Sequence, residues 1–109
     1  MTAFEVHYGQ LVGLVIRGRR ETLGLPMPQM AEHMKMTVSG WSRLETGDTA
    51  MTLAQARRAA RWLEMPVGEI IAQADALTGR LEALGIEVHS DKKKGAPPLT
   101  AAKLLALLT

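Results

Sequence analysis

The chain has 109 residues, of which 47% are hydrophobic and 22% charged, and a formal net charge of +2 at pH 7. This length is typical of one globular domain with a tail, and the composition argues against disorder. Because cysteine is absent, disulfides, cysteine-based zinc sites and thiol nucleophiles are excluded. The sequence shows neither a signal peptide nor an apolar run of membrane-spanning length, and we expect a cytoplasmic protein.

The first predicted helix begins after Thr2 and extends to about Leu23. Thr2 and Glu5 have the spacing of a capping box, and Gly24 is the expected stop. Its apolar stripe has helical spacing and comprises Phe4, Tyr8, Leu11, Val12, Val15 and Ile16. Three interior glycines, each costing about 1 kcal/mol relative to alanine, indicate possible close helix crossings: Gly9, Gly13 and Gly18.

Two short helices joined by a tight turn are predicted next. The second helix runs from Met27 to Lys35, and the third starts after Thr37, a good N-cap, and ends near Thr46–Gly47. The side chains expected to face the core are Met30, Ala31, Met34, Met36, Trp41 and Leu44. This arrangement is the layout of a helix-turn-helix, which places its second helix in the DNA major groove.

Two further helices follow. Thr52 and Gln55 form another capping box and open a fourth helix that reaches about Glu64. Pro66 interrupts the chain, and a fifth helix begins near Val67. Its apolar residues have heptad spacing, which is typical of a helix that packs along a partner or along its own core: Ile70, Ala74, Leu77, Leu81 and Leu84.

The chain after Gly85 is harder to assign. Ile86–His89 alternates apolar and polar residues and predicts either a brief strand, paired with a second copy across a two-fold axis, or an extended loop. Ser90–Pro98 has the composition of a linker. Thr100 can cap a last, short apolar helix that needs a surface to bury on and contains Leu104, Leu105, Leu107 and Leu108.

From about Leu11 to Ile71 the sequence resembles the Cro/phage-repressor (XRE-type) helix-turn-helix family. The matching residues are Ile16, Arg17, Arg20, Gly24, Leu25, Met30, Ala31, Met34, Met36, Thr37, Trp41, Ser42, Arg43, Leu44, Glu45, Gly47, Leu63, Met65, Pro66 and Val67. The resemblance implies an all-α, five-helix DNA-binding domain over residues 1–72. Residues 73–109 would then form a C-terminal dimerisation extension.

The resemblance also implies a structural ion pair between Arg20 and Glu45, which would lock the first helix against the third. Two departures from the family pattern concern phosphate contacts. Met27 stands where the family often has a glutamine that grips a phosphate, and residues 48–51 replace the family's basic residues after the third helix. Phosphate contacts must therefore come partly from other residues.

The family pattern assigns base readout to Val38, Ser39 and Arg43, and Ser42 points outward beside them. Arginine matches the two acceptors of guanine, and valine suits a thymine methyl group. Trp41 takes a core position, with stacking on DNA as the alternative. The phosphate candidates are Thr37, Lys35, Gln29, Arg17, Arg19 and Thr49. Other basic clusters contact phosphate or are simply solvated: Arg57, Arg58 and Arg61, and Lys92, Lys93 and Lys94.

These patterns predict a sequence-specific transcriptional regulator that binds double-stranded DNA, most simply a repressor that binds an inverted repeat as a homodimer. The predicted dimer interface comprises Ile70, Leu77, Leu81, Leu84, Ile86 and Val88. The alternative is an antitoxin-like module that binds a partner protein through its C-terminal segment. The three histidines lack ligand spacing and no nucleophile or phosphate-loop motif appears, so we expect no metal, cofactor or enzymatic activity.

Overall fold

The computed structural model of the chain describes residues 6–91 and 99–109. Within these residues the chain forms six helices and two very short strands. In chain order they are β1 (Val6–His7), α1 (Tyr8–Thr22), α2 (Met27–His33), α3 (Val38–Glu45), α4 (Leu53–Leu63), α5 (Val67–Ala83), β2 (Val88–His89) and α6 (Ala101–Leu108). The expected mostly helical architecture is confirmed.

The central element is α1, which packs against α3, α4 and α5. Its buried side chains include Leu11 and Ile16, both with no exposed surface. Two hydrogen bonds show that α1 and α5 run in opposite directions. The hydroxyl of Tyr8 donates to Asp75 at 2.8 Å, and Arg19, near the other end of α1, donates to the carbonyl of Leu63 just before α5.

The start of α1 differs from the prediction. Thr2, Phe4 and Glu5 lie outside the described residues, and the helix begins at Tyr8 because the preceding residues are extended. The backbone N–H of His7 donates to the side chain of Gln10 at 3.1 Å, which caps the helix at this later point.

The brief strand has a partner in its own chain. Val88 and His89 form the predicted strand and pair in parallel with Val6 and His7. The strand itself is therefore confirmed, whereas the expected partner, a second copy across a two-fold axis, and the alternative of an extended loop are wrong. The pairing covers Val6, which is 1% exposed. Burial of this valine favours the extended conformation of Val6 and His7 over a continuation of α1.

Helix boundaries elsewhere are close to those predicted. The side chains of three threonines cap their helices as expected: Thr37, Thr52 and Thr100. The second helix ends at His33, two residues before Lys35, because Lys35 adopts a left-handed φ of 56°. Gly24 and Gly85 also have positive φ where their helices end.

The C-terminal extension shares the core of the helix-turn-helix. Leu99, Leu104 and Leu108 are buried in the same cluster as the side chains of α1. The amide of Gln10 donates to the carbonyl of Leu99 at 2.7 Å, and the guanidinium of Arg80 donates to the carbonyl of Leu108. The last helix is thus fixed at both ends to helices that precede it.

Candidate nucleic-acid interface

Helix α3 turns one side to the core and the other to solvent. On the inner side Trp41, Leu44 and Glu45 are buried. The hydroxyl of Thr37 accepts a hydrogen bond from the backbone N–H of Gly40 at 3.0 Å, which satisfies one of the free N–H groups at the start of the helix. The outer side carries the four residues predicted to read bases, Val38, Ser39, Ser42 and Arg43.

The buried carboxylate of Glu45 joins α1 to α3. Arg20 donates through Nε to Oε2 at 2.6 Å and through Nη2 to Oε1 at 3.1 Å, so the predicted pair is present as a two-pronged ion pair. The hydrogen bond to Glu45 raises the pKa of Arg20 above its ordinary value although burial opposes the charge. Both groups are more than nine-tenths buried, and a paired fork at this depth fixes how α3 is rotated about its axis.

Trp41 contributes to the same network. Its indole Nε1 donates to Oε2 of Glu45 at 2.5 Å, and the ring is fully buried. The tryptophan is therefore a core residue and is not available to stack on DNA. The sequence indicated its burial, but its hydrogen bond was not anticipated, although Trp41 and Glu45 have the i, i+4 spacing that permits one.

A glycine allows α1 and α3 to approach closely. A Cβ atom on Gly13 would lie 2.0 Å from the carbonyl oxygen of Glu45, a distance that no side chain can occupy. The close crossing expected at Gly13 is thus confirmed, whereas Gly18 faces open space and Gly9 would meet only the side chain of His7. Contact between the backbones brings Arg20 within reach of the end of α3.

The turn before α3 exposes one cation. The backbone N–H of Met36 donates to the carbonyl of Ala31 at 2.9 Å, which closes the turn over the buried side chains of α2. The left-handed conformation of Lys35 leaves its side chain exposed. Lys35 therefore places an exposed positive charge three residues before the start of α3.

The residues assigned to base readout are accessible. Val38 is 45% exposed, Ser39 and Arg43 are exposed, and Ser42 is half-buried. One guanidinium nitrogen of Arg43 donates to the hydroxyl of Ser39 at 3.1 Å. This internal bond holds the arginine along the outer side of α3, one turn from the serine.

The phosphate candidates surround this surface unevenly. Arg17 lies 3.6 Å from Glu21, an exposed i, i+4 pair, and lines a small pocket of about 190 Å³ together with Met27, Ser42 and Thr46. Four candidates are exposed around α2 and α3, although the hydroxyl of the first is engaged in the cap: Thr37, Lys35, Gln29 and Thr49. The structure thus brings Arg17 to the side of the reading helix.

One border of this surface was not anticipated. Leu99, Thr100 and Ala101 line a cavity of about 410 Å³ that Arg43 and Thr46 also line. The start of α6 therefore lies beside Arg43, on the outer side of α3. No local signal places it there, because the tie is the long-range hydrogen bond from Gln10 described above.

The remaining basic residues fall into three groups. Arg19 donates to the carbonyls of Leu63 and Glu64 and so caps the end of α4, which gives this phosphate candidate a structural role. An exposed group lies on α4 and comprises Arg57, Arg58 and Arg61. The lysine cluster of the linker, Lys92 to Lys94, lies outside the described residues.

Comparison with known proteins supplies the family. The sequence profile of the helix-turn-helix domain family matches residues 11–72 of the chain. The chain belongs to this family. The XRE-type resemblance expected from the sequence is confirmed, and domains of the helix-turn-helix family bind DNA through the second helix of the motif, which here is α3.

Solved structures share the fold of this helix-turn-helix protein. Two crystal structures of the clp gene regulator ClgR from Corynebacterium glutamicum are similar to it. One is 19% identical, with a TM-score of 0.62 over 66% of this chain and 94% of that chain. The other is 21% identical, with a TM-score of 0.66 over 74% and 89%. At such low identity the likeness concerns the fold. No curated protein matches the sequence.

The predicted dimer residues of the helix-turn-helix protein divide into three groups by burial. Ile70 and Leu81 have no exposed surface and belong to the core of the single chain, so in this conformation they offer no area to a partner. Leu84 is 57% exposed. The others are partly buried against the core: Leu77, Ile86 and Val88.

The described residues offer neither a clustered metal site nor a membrane-spanning helix. Residues 6–91 and 99–109 hold no group of three or more potential metal ligands among histidine, aspartate and glutamate. No helix in those ranges combines the length and apolar character needed to cross a bilayer.

Proposed function

We propose that this protein is a cytoplasmic transcriptional repressor that binds an inverted-repeat operator as a homodimer. The observation that carries the proposal is the outer side of α3, where Ser39 and Arg43 are accessible. The inner side of the same helix is fixed by the Arg20–Glu45 pair. A helix with an accessible polar side and a fixed rotation is suited to reading base edges.

In the proposed complex α3 lies in the major groove. Arg43 donates two hydrogen bonds to a guanine, which is worth roughly 1–3 kcal/mol of discrimination against another base. To do so it gives up its bond to Ser39, whose hydroxyl then becomes free for a neighbouring base or phosphate. Val38 contacts a thymine methyl group. Ser42, half-buried beside Arg17, contributes at the edge of the groove.

Contacts to phosphates position the protein. We assign them to Lys35, Gln29, Arg17 and Thr49, with Thr37 dividing its hydroxyl between the helix cap and a phosphate. With few cations around α3, the salt dependence of binding should be modest, because each neutralised phosphate adds about one unit to the salt slope.

The second copy is proposed to dock on residues 73–109, and residues 1–72 bind DNA. Leu84 and Leu105 are 57% and 45% exposed, and Leu77 and Leu105 line a groove of about 580 Å³ between α1, α5 and α6. Burying these leucines in a symmetric interface would remove apolar surface from water. Two reading helices about 34 Å apart then match successive major grooves.

The antitoxin-like alternative requires a C-terminal segment free to bind a partner. Residues 99–109 instead bury Leu99, Leu104 and Leu108 against the chain's own core. That packing favours the repressor function over the antitoxin-like one, because a segment that is buried in its own fold must detach before another protein can bind it.

A selection of bound sequences from random duplex DNA tests the reading surface. Wild-type protein should enrich an inverted repeat with half-sites about one helical turn apart. Arg43→Ala should lose preference at one base pair of each half-site, while the matched variant Arg58→Ala, which removes an arginine from α4, keeps it. Enrichment of the same sequence by the Arg43 variant would remove this residue from base readout, and enrichment of none by wild type would end the proposal.

Salt titrations separate phosphate contacts from base contacts. Lys35→Ala should weaken binding to all sequences and lower the salt slope by about one unit. Arg61→Ala, with the same loss of charge on α4, is the control and should leave the slope unchanged. Equal slopes in wild-type protein and the Lys35 variant would exclude the phosphate role of Lys35.

Sedimentation tests the dimer. Leu84→Asp places a charge in the proposed interface at an exposed position, so it should give monomers without unfolding the chain. Leu53→Asp is the matched control, because Leu53 is 82% exposed on α4. Dimers that persist in the Leu84 variant, or monomers in wild-type protein at concentrations that saturate the operator, would contradict the proposed interface.

A further inference from the structure

The outer side of α4 is unlike that of any other helix in the described residues. Two rows with i, i+4, i+8 spacing run along it, and all six side chains are exposed. The rows consist of Leu53, Arg57 and Arg61, and of Ala54, Arg58 and Trp62. We call these six residues the α4 face. It combines three positive charges with a large aliphatic and a large aromatic side chain.

The charge of the α4 face is not neutralised locally. Helix α4 has no acidic residue, and within residues 6–91 and 99–109 none of its three guanidinium groups forms an ion pair. The face borders a groove of about 790 Å³ whose floor includes Met65, Pro66 and Val67. Glu64 is the one carboxylate lining that groove.

Trp62 is held in place before any partner arrives. Its ring stacks on that of His33, with centroids 3.8 Å apart and planes within 7° of parallel. Even so, the tryptophan is 42% exposed. An aromatic side chain that is already ordered loses little entropy on binding, and tryptophan and arginine are the residues most often found at the energetic centre of protein interfaces.

We propose that the α4 face is a docking surface for an acidic amphipathic segment of another protein. Carboxylates of such a segment pair with the arginines, and its apolar side chains cover Leu53, Trp62 and the floor of the groove. Duplex DNA is the other polyanion, but its phosphates and sugars offer much less apolar surface than a leucine-bearing peptide to cover side chains as large as Leu53 and Trp62. The groove also shares no lining residue with the two pockets that contain Ser42 and Arg43.

The test uses two labelled peptides with the full chain. One has glutamate and leucine at alternating helical positions, and the other has glutamine in place of every glutamate. We expect the acidic peptide to bind, with amide shift changes confined to α4 and residues 64–67, and the neutral peptide to bind at least about tenfold more weakly. The triple variant R57Q/R58Q/R61Q should weaken the acidic peptide about tenfold or more. Trp62→Ala should weaken both peptides.

Matched controls separate this surface from general attraction. Lys103→Gln removes an exposed charge on α6 and should leave peptide binding unchanged, and the triple glutamine variant should melt as the wild type does. Equal binding of the two peptides, or undiminished binding by the triple variant, would overturn the proposal. So would a triple variant that loses affinity for duplex DNA instead of peptide, because the α4 face would then be a phosphate surface. Failure of Arg43→Ala to alter operator choice affects only the proposed function.

Discussion

Helices α3 and α6 invite comparison because each has eight residues and a threonine cap. Neither is long enough to be stable alone in water, so each depends on what it packs against. The buried side of α3 consists of Trp41, Leu44 and the charged Glu45. The buried side chains of α6 are both leucines. Two hydrogen bonds also hold α6, one from Arg80 to the carbonyl of Leu108 and one from Gln10 to the carbonyl of Leu99, just before the threonine cap.

The outer sides of the two helices differ as well. Ser39 and Arg43 are exposed on α3, whereas Leu105 and Leu107 are 45% and 41% exposed on α6. Leucine contacts fix the position of a helix and tolerate rotation, because apolar side chains repack. A buried ion pair has one satisfactory geometry. The comparison indicates that contacts in the core determine how α3 is rotated about its axis, and therefore which of its residues face solvent.

The largest expected effect comes from breaking the core of α3. Glu45→Ala leaves Arg20 and the indole of Trp41 without their acceptor, and we expect a loss of about 3–5 kcal/mol in the free energy of unfolding. Urea denaturation measures it, with Glu45→Gln as a milder variant should the first fail to fold. The control is Glu21→Ala, whose exposed pair with Arg17 should contribute about 0.5 kcal/mol or less. Similar losses in both would show that burial gives the pair no special role.

Breaking the core of α6 should have a smaller and more local effect. Leu104→Ala removes a side chain that is 1% exposed, at a cost of about 2 kcal/mol or more. Hydrogen exchange should show lost protection in α6 while the amides of α3 stay protected. Leu107→Ala, at an exposed position, should change little. Loss of protection in α3 would mean that the two helices form one cooperative unit.

The close crossing of α1 and α3 gives the next effect. Gly13→Ala puts a Cβ atom against the carbonyl of Glu45, so it should destabilise the fold by about 1–3 kcal/mol despite the better helix propensity of alanine. Gly18→Ala, where the added atom meets open space, should stabilise by up to about 1 kcal/mol. Thermal unfolding compares the two. If Gly13→Ala is more stable than wild type, α3 can move away from α1 to make room for the added atom, as expected of a helix such as α6 that is held by leucine contacts.

The smallest expected effect concerns Tyr8, which lies outside both α3 and α6. Tyr8 is the single tyrosine, and burial, with help from its hydrogen bond to Asp75 and the charge of that carboxylate, raises its pKa from 10.0 to about 12. The pKa of Tyr8 is higher in the folded chain than in the unfolded chain. The stabilisation that the neutral phenol gives the folded state is therefore fully present below pH 10 and is lost as the pH rises from 10 to 12. Phenolate absorbance should titrate near the upper value, and Asp75→Asn should bring the pKa down. An ordinary pKa in wild-type protein would mean that the α1–α5 tie is open.

Sequence reasoning succeeded where the determinant is local. Thr37 and Thr52 were identified as caps because a capping signal spans only a few residues. The helix-turn-helix and the Arg20–Glu45 pair followed from an ordered set of residues shared with the family. These features decide the fold and the accessible side of α3.

The parts that sequence reasoning missed depend on contacts between distant residues. The local sequence around Val6 predicts a helix, and only its pairing with Val88 shows that it is a strand. A strand of two residues is too short to have a periodicity that could predict it. The position of Leu99 beside Arg43 depends on long-range contacts, namely the hydrogen bond from Gln10 and the burial of Leu99 in the shared core. Heptad spacing identified the buried residues Ile70, Ala74 and Leu81 of α5, although Leu84 is exposed. Spacing alone does not distinguish the core of one chain from an interface between two.

The pairing of β1 with β2 has a consequence for how the chain is divided. Val6 is 1% exposed and pairs with Val88, which follows α5, so a strand before α1 and a strand after α5 are held together across the DNA-binding unit. Because the two strands are far apart in sequence, the entropy of closing the chain between them opposes their pairing until the helices are in place. A fragment that ends at Gly85 would lack the strand that pairs with Val6 and His7. A rearrangement that moves the DNA-binding helices into another protein would therefore have to include β1 and β2 together.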